Sequence, residues 1–215
     1  MECRECSVIE KTADGIAIAT KFVFGSDAAR PTLRGTLIYR FAPGAGMELV
    51  MDVDATVPED AVTLPRLGIQ FAMPAGNEKL NYFGCGPMET YCDKRQAGLV
   101  GVYACDVSDH FEHYVRPQEN MAHTETHWVR VTDAAGQGLA VTPAGGMSDL
   151  SFNCSHFSPA QLTATAHDYD LIPQSVTYVN VDYKQAGIGS NSCGPRLREE
   201  YRLPSGHYVF DIRVE

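Results

Sequence analysis

The sequence predicts an all-β chain of paired antiparallel sheets, a large β-sandwich, on three observations. Apolar residues recur at every second position in run after run, clusters of turn-forming residues separate the runs, and no stretch carries the 3.6-residue period of a long helix. With 215 residues, 19 glycines and 12 prolines, about ten such strands fit one core, so residues 1–215 are expected to form a single domain.

In the first third, Ile16, Ile18, Phe22 and Phe24 share one parity, and Leu37, Tyr39 and Phe41 repeat the pattern after a turn region from Asp27 to Pro31. The third run is the clearest. Met47, Leu49, Met51, Val53, Ala55 and Val57 alternate with Glu48, Val50, Asp52, Asp54 and Thr56, which gives one core face and one mostly wet face. Pro43, Gly44 and Gly46 supply the turn before it, so Thr36 to Phe41 and Met47 to Val57 are predicted to form an antiparallel hairpin.

Leu67, Ile69 and Phe71 continue the alternation up to Pro74-Ala75-Gly76-Asn77. The glycine-rich stretch from Tyr82 to Val107 reads as a long surface connection, with the glycine pair Gly84-x-Gly86 as a turn. Strand signals resume at His127 to Val131, Leu139 to Val141, Leu150 to Cys154, Leu162 to Ala166, Val176 to Asp182 and Tyr208 to Val214. Ser158 followed by Pro159 offers an N-cap and first turn for one short helix, or a turn entering a strand. Tyr201 and Leu203, then Pro204-Ser205-Gly206, then Tyr208, Phe210 and Ile212 read as a final hairpin.

Seventeen basic residues against 27 acidic ones, a net charge of −10, argue against a polyanion partner such as nucleic acid. The N-terminus has no basic segment followed by an apolar core, and no stretch approaches a membrane span. A soluble, cytoplasmic chain is the expectation, with the periplasm open should a targeting segment lie upstream. Seven cysteines, odd in number and mostly far apart, are expected to be free thiols.

Candidate chemistry is sparse. His110 and His113 flank Glu112, with Asp106 and Asp109 upstream, but the spacing is not HExxH and the segment reads as a solvated acidic loop. His123, Glu125 and His127 stand at i, i+2 and i+4, so a regular strand would put all three on one face and Trp128 on the other, Trp128 as core or as a stacking platform. Cys3-x-x-Cys6 has a redox-like spacing but does not cap a helix. Glu89, Glu112, Glu119 and Glu125 include carboxylates enough for a glycosidase pair, yet nothing in the spacing brings two together.

Ordered motifs add a resemblance. Asn81-Tyr82-Phe83-Gly84-Cys85-Gly86-Pro87-Met88-Glu89-Thr90-Tyr91, then Asp93 and Arg95, resembles a signature in the C-terminal domain of glycoside hydrolase family 2 β-galactosidases. Tyr114-Val115-Arg116-Pro117-Gln118-Glu119-Asn120, Phe152-Asn153, His167, Gly187-Ile188-Gly189 and Ser192-Cys193-Gly194-Pro195 follow in that family's order. The resemblance covers roughly residues 15 to 215 and implies a galactose-mutarotase-like supersandwich, truncated at its N-terminal side.

It also implies a noncatalytic role. The nucleophile and acid/base glutamates of the family lie on an upstream (β/α)₈ barrel, so no catalytic residue and no metal ligand is expected in this chain, and magnesium and sodium belong to the parent enzyme. The partners implied are the upstream domains with that barrel and a β-galactoside, and a homo-oligomeric parent is open on this reading. Ser192, Cys193 and Gly194 are the implied aglycone-side loop. Arg116, Glu119, Asn120, His123, His127 and Trp128 form a carbohydrate-facing or structural motif. After Asn120 the chain has Met121 where the family pattern has glycine, which is expected to disfavour a positive φ there. A free-standing carbohydrate-binding module and an aldose epimerase-like protein are the alternative functions.

Overall fold

The computed structural model describes residues 1–25, 31–59, 61–189 and 195–215. In chain order the strands are β1 (Glu2–Thr12), β2 (Gly15–Phe24), β3 (Leu33–Phe41), β4 (Met47–Ala55), β5 (Arg66–Met73), β6 (Lys79–Gly86) and β7 (Leu99–Asp106). After them come β8 (His123–Thr126), β9 (Trp128–Thr132), β10 (Gly138–Pro143), β11 (Leu150–Ser155), the short α-helix α1 (Pro159–Ala164), β12 (Thr177–Gln185) and β13 (Gly206–Val214). The fold is an all-β, sandwich-like arrangement of antiparallel sheets with almost no helix.

The chain divides into two compact units, the first made of Met1–Arg66, Val141–Ser148 and Gln185–Glu215. Its sheet runs β1-β2-β3-β4-β13, followed by the last residues of β10. The predicted hairpin is present, with Phe41 opposite Met47 and Leu33 opposite Ala55, and Gly44 and Gly46 in its loop adopt φ of 74° and 71°, a region open to glycine without steric penalty. Along β4, Leu49, Met51, Val53 and Ala55 are buried while Asp52 and Asp54 are exposed, the alternation expected of a strand with one face in the core. Phe22, Leu37, Phe210 and Ile212 complete that core.

The expected final hairpin does not form. β13 pairs along its whole length with β4, from Gly206 opposite Ala55 to Val214 opposite Met47. Glu199–Tyr201 makes a short 3-10 turn, and Leu203 gives its backbone elsewhere: its carbonyl accepts from Leu64 N at 3.0 Å and its N–H donates to Thr63 Oγ1 at 2.7 Å. β1 is a strand that the sequence pattern does not announce, because all eleven of its residues are exposed and there is no buried parity to read. The turn region from Asp27 falls largely outside the described residues.

The second unit comprises Leu67–Ala140 and Asp149–Lys184. In it β6 lies between β9 and β7, and β5-β12-β11-β8 form a second sheet. Tyr82, Leu80, Val129, Val131, Leu150, Phe152, Val179 and Val181 are buried, and Tyr82 meets Phe152 edge-on with ring centroids 5.0 Å apart, a favoured aromatic geometry. Two expectations are corrected here. The stretch from Tyr82 to Val107 is not a surface connection: it completes β6 and contains β7, in register from Lys79 opposite Asp106 to Gly86 opposite Leu99. Gly84, Gly86 and Gly101 sit in strand rather than turn, and at Gly84 and Gly86 the missing Cβ permits close approach of neighbouring groups. Leu162 to Ala166 is not strand, since Ser158 caps α1 by accepting from Gln161 N at 3.2 Å, and Leu162 is the buried residue of that helix.

Candidate functional site

The motif residues of the second unit gather around the end of β6 and the segment between β7 and β8. Gly84 shows why the motif needs glycine. A Cβ placed there would lie 2.6 Å from Thr126 Oγ1 and 2.9 Å from Thr126 Cα, so β6 and β8 come together only over a bare backbone. The Gly86–Pro87 peptide bond that follows is cis, and the chain then turns to present Glu89.

Glu89 is buried and ties three segments together. Its Oε1 accepts from Lys94 Nζ at 2.5 Å and from the Tyr114 hydroxyl at 2.5 Å, while Oε2 accepts from Met121 N at 3.0 Å. Burial alone would raise its pKa, but these donors outweigh it and hold the carboxyl below the usual range. The same bond lifts the Tyr114 phenol to about 12. A carboxylate held this way stays ionised at neutral pH, so it organises the loop rather than delivering a proton. Met121 sits at φ 52°, against the expectation drawn from its side chain. The N–H it points at Glu89 supplies a compensating charge-assisted bond.

His123, Glu125 and His127 do not share a face. Glu125 has φ 52°, and the register of β8 against β11 shifts: Leu150 lies opposite Thr126 but Phe152 opposite His123. Two steps along β11 therefore match three along β8, a bulge that breaks the period-2 alternation. Each residue goes its own way. Glu125 pairs with Arg95 through Nε to Oε1 and Nη2 to Oε2 at 2.6 Å, a two-pronged contact on a half-exposed surface, and Arg95 lowers its pKa. His127 donates its backbone N–H to Phe83 O at 2.7 Å, and its ring lies 4.8 Å from that of Phe83.

His123 is fully buried. Its Nδ1 lies 2.8 Å from Cys85 O and 3.2 Å from the Tyr82 hydroxyl, and its Nε2 lies 2.8 Å from His110 Nε2. His110 Nδ1 in turn lies 3.0 Å from Cys154 O. His110 is thus a core residue and not part of a solvated acidic loop, because this hydrogen-bonded chain between β6 and β11 receives it, whereas His113 remains exposed and faces Asp168 at 2.9 Å. Burial pushes both rings down, His110 to about 4 and His123 to about 3, with His110 adding to the effect on His123. Two neutral imidazoles carry two N–H groups, and the two carbonyls and the Nε2–Nε2 contact could use three, so one of these contacts lacks a proton at neutral pH.

Asn120 is buried and staples the loop: Nδ2 donates to Glu112 O at 2.8 Å, Oδ1 accepts from Glu112 N at 3.1 Å, and Asn120 O accepts from Asn153 Nδ2 at 3.1 Å. Between these anchors Arg116 and Glu119 are exposed. Trp128 is half-buried in β9 opposite Phe83. The structure therefore brings Asn120 and His123 into the scaffold and leaves Arg116 and Glu119 on its outer surface. Ser192, Cys193 and Gly194 lie outside the described residues. Lys94, Arg95 and Tyr114 are organising residues that the sequence does not assign to the site, and His110 is one that it places only in a solvated acidic loop. Arg95 and Tyr114 stand inside the quoted motifs, whereas nothing local to His110 announces its burial.

Glu89 and Glu125 each have cationic partners, and among the described residues no group of three or more His, Cys, Asp or Glu side chains is arranged to hold a metal. No helix among them is long and apolar enough to cross a membrane. The arrangement is that of a rigid frame presenting the 111–122 loop.

Comparison with known proteins gives a family model described as beta galactosidase small chain, which matches residues 2–214. A beta-galactosidase of Staphylococcus xylosus is 35% identical over 190 residues, covering 88% of this chain and 18% of that protein. One from Actinobacillus pleuropneumoniae is 32% identical over 168 residues, 78% of this chain and 16% of that protein. One from Vibrio vulnificus strain CMCP6 is 25% identical over 216 residues, 98% and 19% respectively. The chain spans less than a fifth of the length of these relatives. A solved structure of a putative aldose 1-epimerase from Escherichia coli K12 aligns with 98% of this chain and 68% of that one at 12% identity and a TM-score of 0.42, a likeness too slight to bear on function.

Proposed function

The chain belongs to the β-galactosidase small-chain family, and from that premise we propose that it serves as the noncatalytic C-terminal β-sandwich domain of an enzyme hydrolysing terminal non-reducing β-D-galactosides. The observation that carries this reading is a family match from residue 2 to residue 214 in a chain that is less than a fifth of its relatives' length. In the proposal the reacting glutamates are supplied by a (β/α)₈ barrel upstream in the parent, and residues 1–215 act as one domain that helps to complete the aglycone side of the active site.

The frame around Glu89 and Asn120 supports a positioning role. A loop anchored at Met121 by a buried carboxylate and at Glu112 by a buried amide loses little further conformational entropy when its exposed Arg116 and Glu119 meet a sugar or another domain. The proposal assigns direct aglycone contact to Ser192, Cys193 and Gly194, on the strength of the motif resemblance. A small thiol at Cys193 offers none of the stacking, about 0.5 to 1.5 kcal/mol, that an aromatic platform would give. Magnesium and sodium are assigned to the parent, and no step is routed through them here because the described residues offer no fitting donor set.

Complementation tests the reading. This chain and the separately produced remainder of its parent are assayed alone and mixed, using a chromogenic β-galactoside. Turnover only in the mixture is expected. Full turnover by the remainder alone, or none in a mixture whose parts demonstrably associate, would remove the site-completing role.

A further inference from the structure

We propose that Cys3 and Cys6 form a two-thiolate binding site for a soft monovalent metal ion of the copper(I) type, created by a bulge in β1. The two residues stand three apart, a spacing that in a regular strand sends side chains to opposite faces. Pairing with β2 cancels that parity. Cys3 lies opposite Phe22 and Cys6 opposite Thr20, with a register shift between Cys3 and Glu5 that leaves Arg4 as the extra residue. Phe22 and Thr20 are two apart on β2 and share a face, and residues directly opposite one another share it with them. The thiols are therefore neighbours on one face, both free and both exposed.

Tyr39 extends the same face. It lies opposite Ile18, the next residue of that face of β2 after Phe22 and Thr20, and its phenol is raised first by burial and then by Cys6 and Cys3 together. The Thr20 hydroxyl donates to Cys6 Sγ at 3.6 Å. Cys3 Sγ donates to Glu5 O at 3.6 Å, a contact given up when the thiol loses its proton. The neighbouring carboxylates are already countered, Glu2 by Arg4 and Glu5 by Lys21, each at 2.8 Å.

The donor set selects the ligand. No third His, Cys, Asp or Glu joins the pair in a metal-holding group among the described residues, so the site falls short of the four ligands a structural zinc takes. Soft thiolates favour copper(I), which accepts two. Two S–H bonds break, two S–Cu bonds form, two protons pass to the buffer, and no electron is transferred.

The test is an anaerobic titration of the full chain with copper(I) against a chromogenic copper(I) chelator, repeated for Cys3→Ser, Cys6→Ser and the double variant. The expected result is one equivalent of chelator-resistant copper in the parent chain and a roughly 10²- to 10⁴-fold weaker affinity in each variant, because a second linked donor acts at high effective concentration. A further variant, Glu5→Cys combined with Cys6→Ser, keeps two thiols near one another in sequence but puts the second opposite Lys21, on the other face. It is expected to bind as weakly as the single variants. Copper binding that persists in the Cys3→Ser, Cys6→Ser double variant, or undiminished in the Glu5→Cys combination, overturns the site.

Discussion

Glu89 and Met121, 32 residues apart, are joined by a bond from Met121 N to Glu89 Oε2 at 3.0 Å, and it forms where the Met121 backbone takes a φ of 52°. The carboxylate that orders the loop is thus aimed at a non-glycine residue in the left-handed backbone region. Replacing Glu89 with Ala removes the acceptor for Lys94, Tyr114 and Met121 at once. Destabilisation of roughly 1–3 kcal/mol is expected, read as a lower urea midpoint with an unchanged slope, and Glu89→Gln should retain part of the stability because one oxygen still accepts.

Met121 itself predicts an order rather than a size. Glycine adopts positive φ freely, whereas β-branched side chains do so at the greatest strain. Met121→Gly should therefore be more stable than Met121→Val, by about 1–2 kcal/mol. Equal melting temperatures for the two variants would argue against a left-handed backbone at this position.

Gly84 predicts a steric failure. Gly84→Ala drives a methyl against Thr126 Oγ1 and Cα, and overpacking of this kind costs about 1–3 kcal/mol. Combining it with Thr126→Ala should recover only part of the loss, since the Thr126 Cα stays in place. Complete recovery in thermal melts would mean that the hydroxyl alone sets the spacing.

The histidine pair predicts acid sensitivity. His110 and His123 are held below their ordinary 6.5, at about 4 and about 3, so the unfolded chain takes up protons first as pH falls. Their contribution is fully present above pH 6.5 and is lost progressively from there towards pH 4. With both rings involved the slope approaches roughly 2.7 kcal/mol per pH unit. The double variant His110→Gln, His123→Gln should lose that slope between pH 6.5 and 4; retention of the full dependence would assign it to other groups.

Much of the architecture was readable from alternation. The face of β4 carrying Leu49, Met51 and Val53 is legible because a strand's side-chain period is a local property. The same holds for the turn residues between β3 and β4, and for the motif order from Gly84 to Asn153 that identified the family. The features missed have another origin. Nothing near Tyr201 tells that β13 will spend its edge on β4, and an exposed strand such as β1 has no buried parity to betray it.

The candidate site divides along the same line. Sequence alone determined that Glu89, Arg95 and Asn120 stand in one ordered set of motifs and that the chain is built of strands. Only tertiary structure decided which of them meet: a bulge in β8 separates His123 from Glu125, and His110 is drawn from an apparently solvated loop into a buried pair. Alternation, charge and turn propensity belong to neighbouring residues, whereas register, burial and hydrogen-bond partners depend on chain that returns from far along the sequence, as Lys79 and Asp106 or Glu89 and Met121 show at separations of 27 and 32.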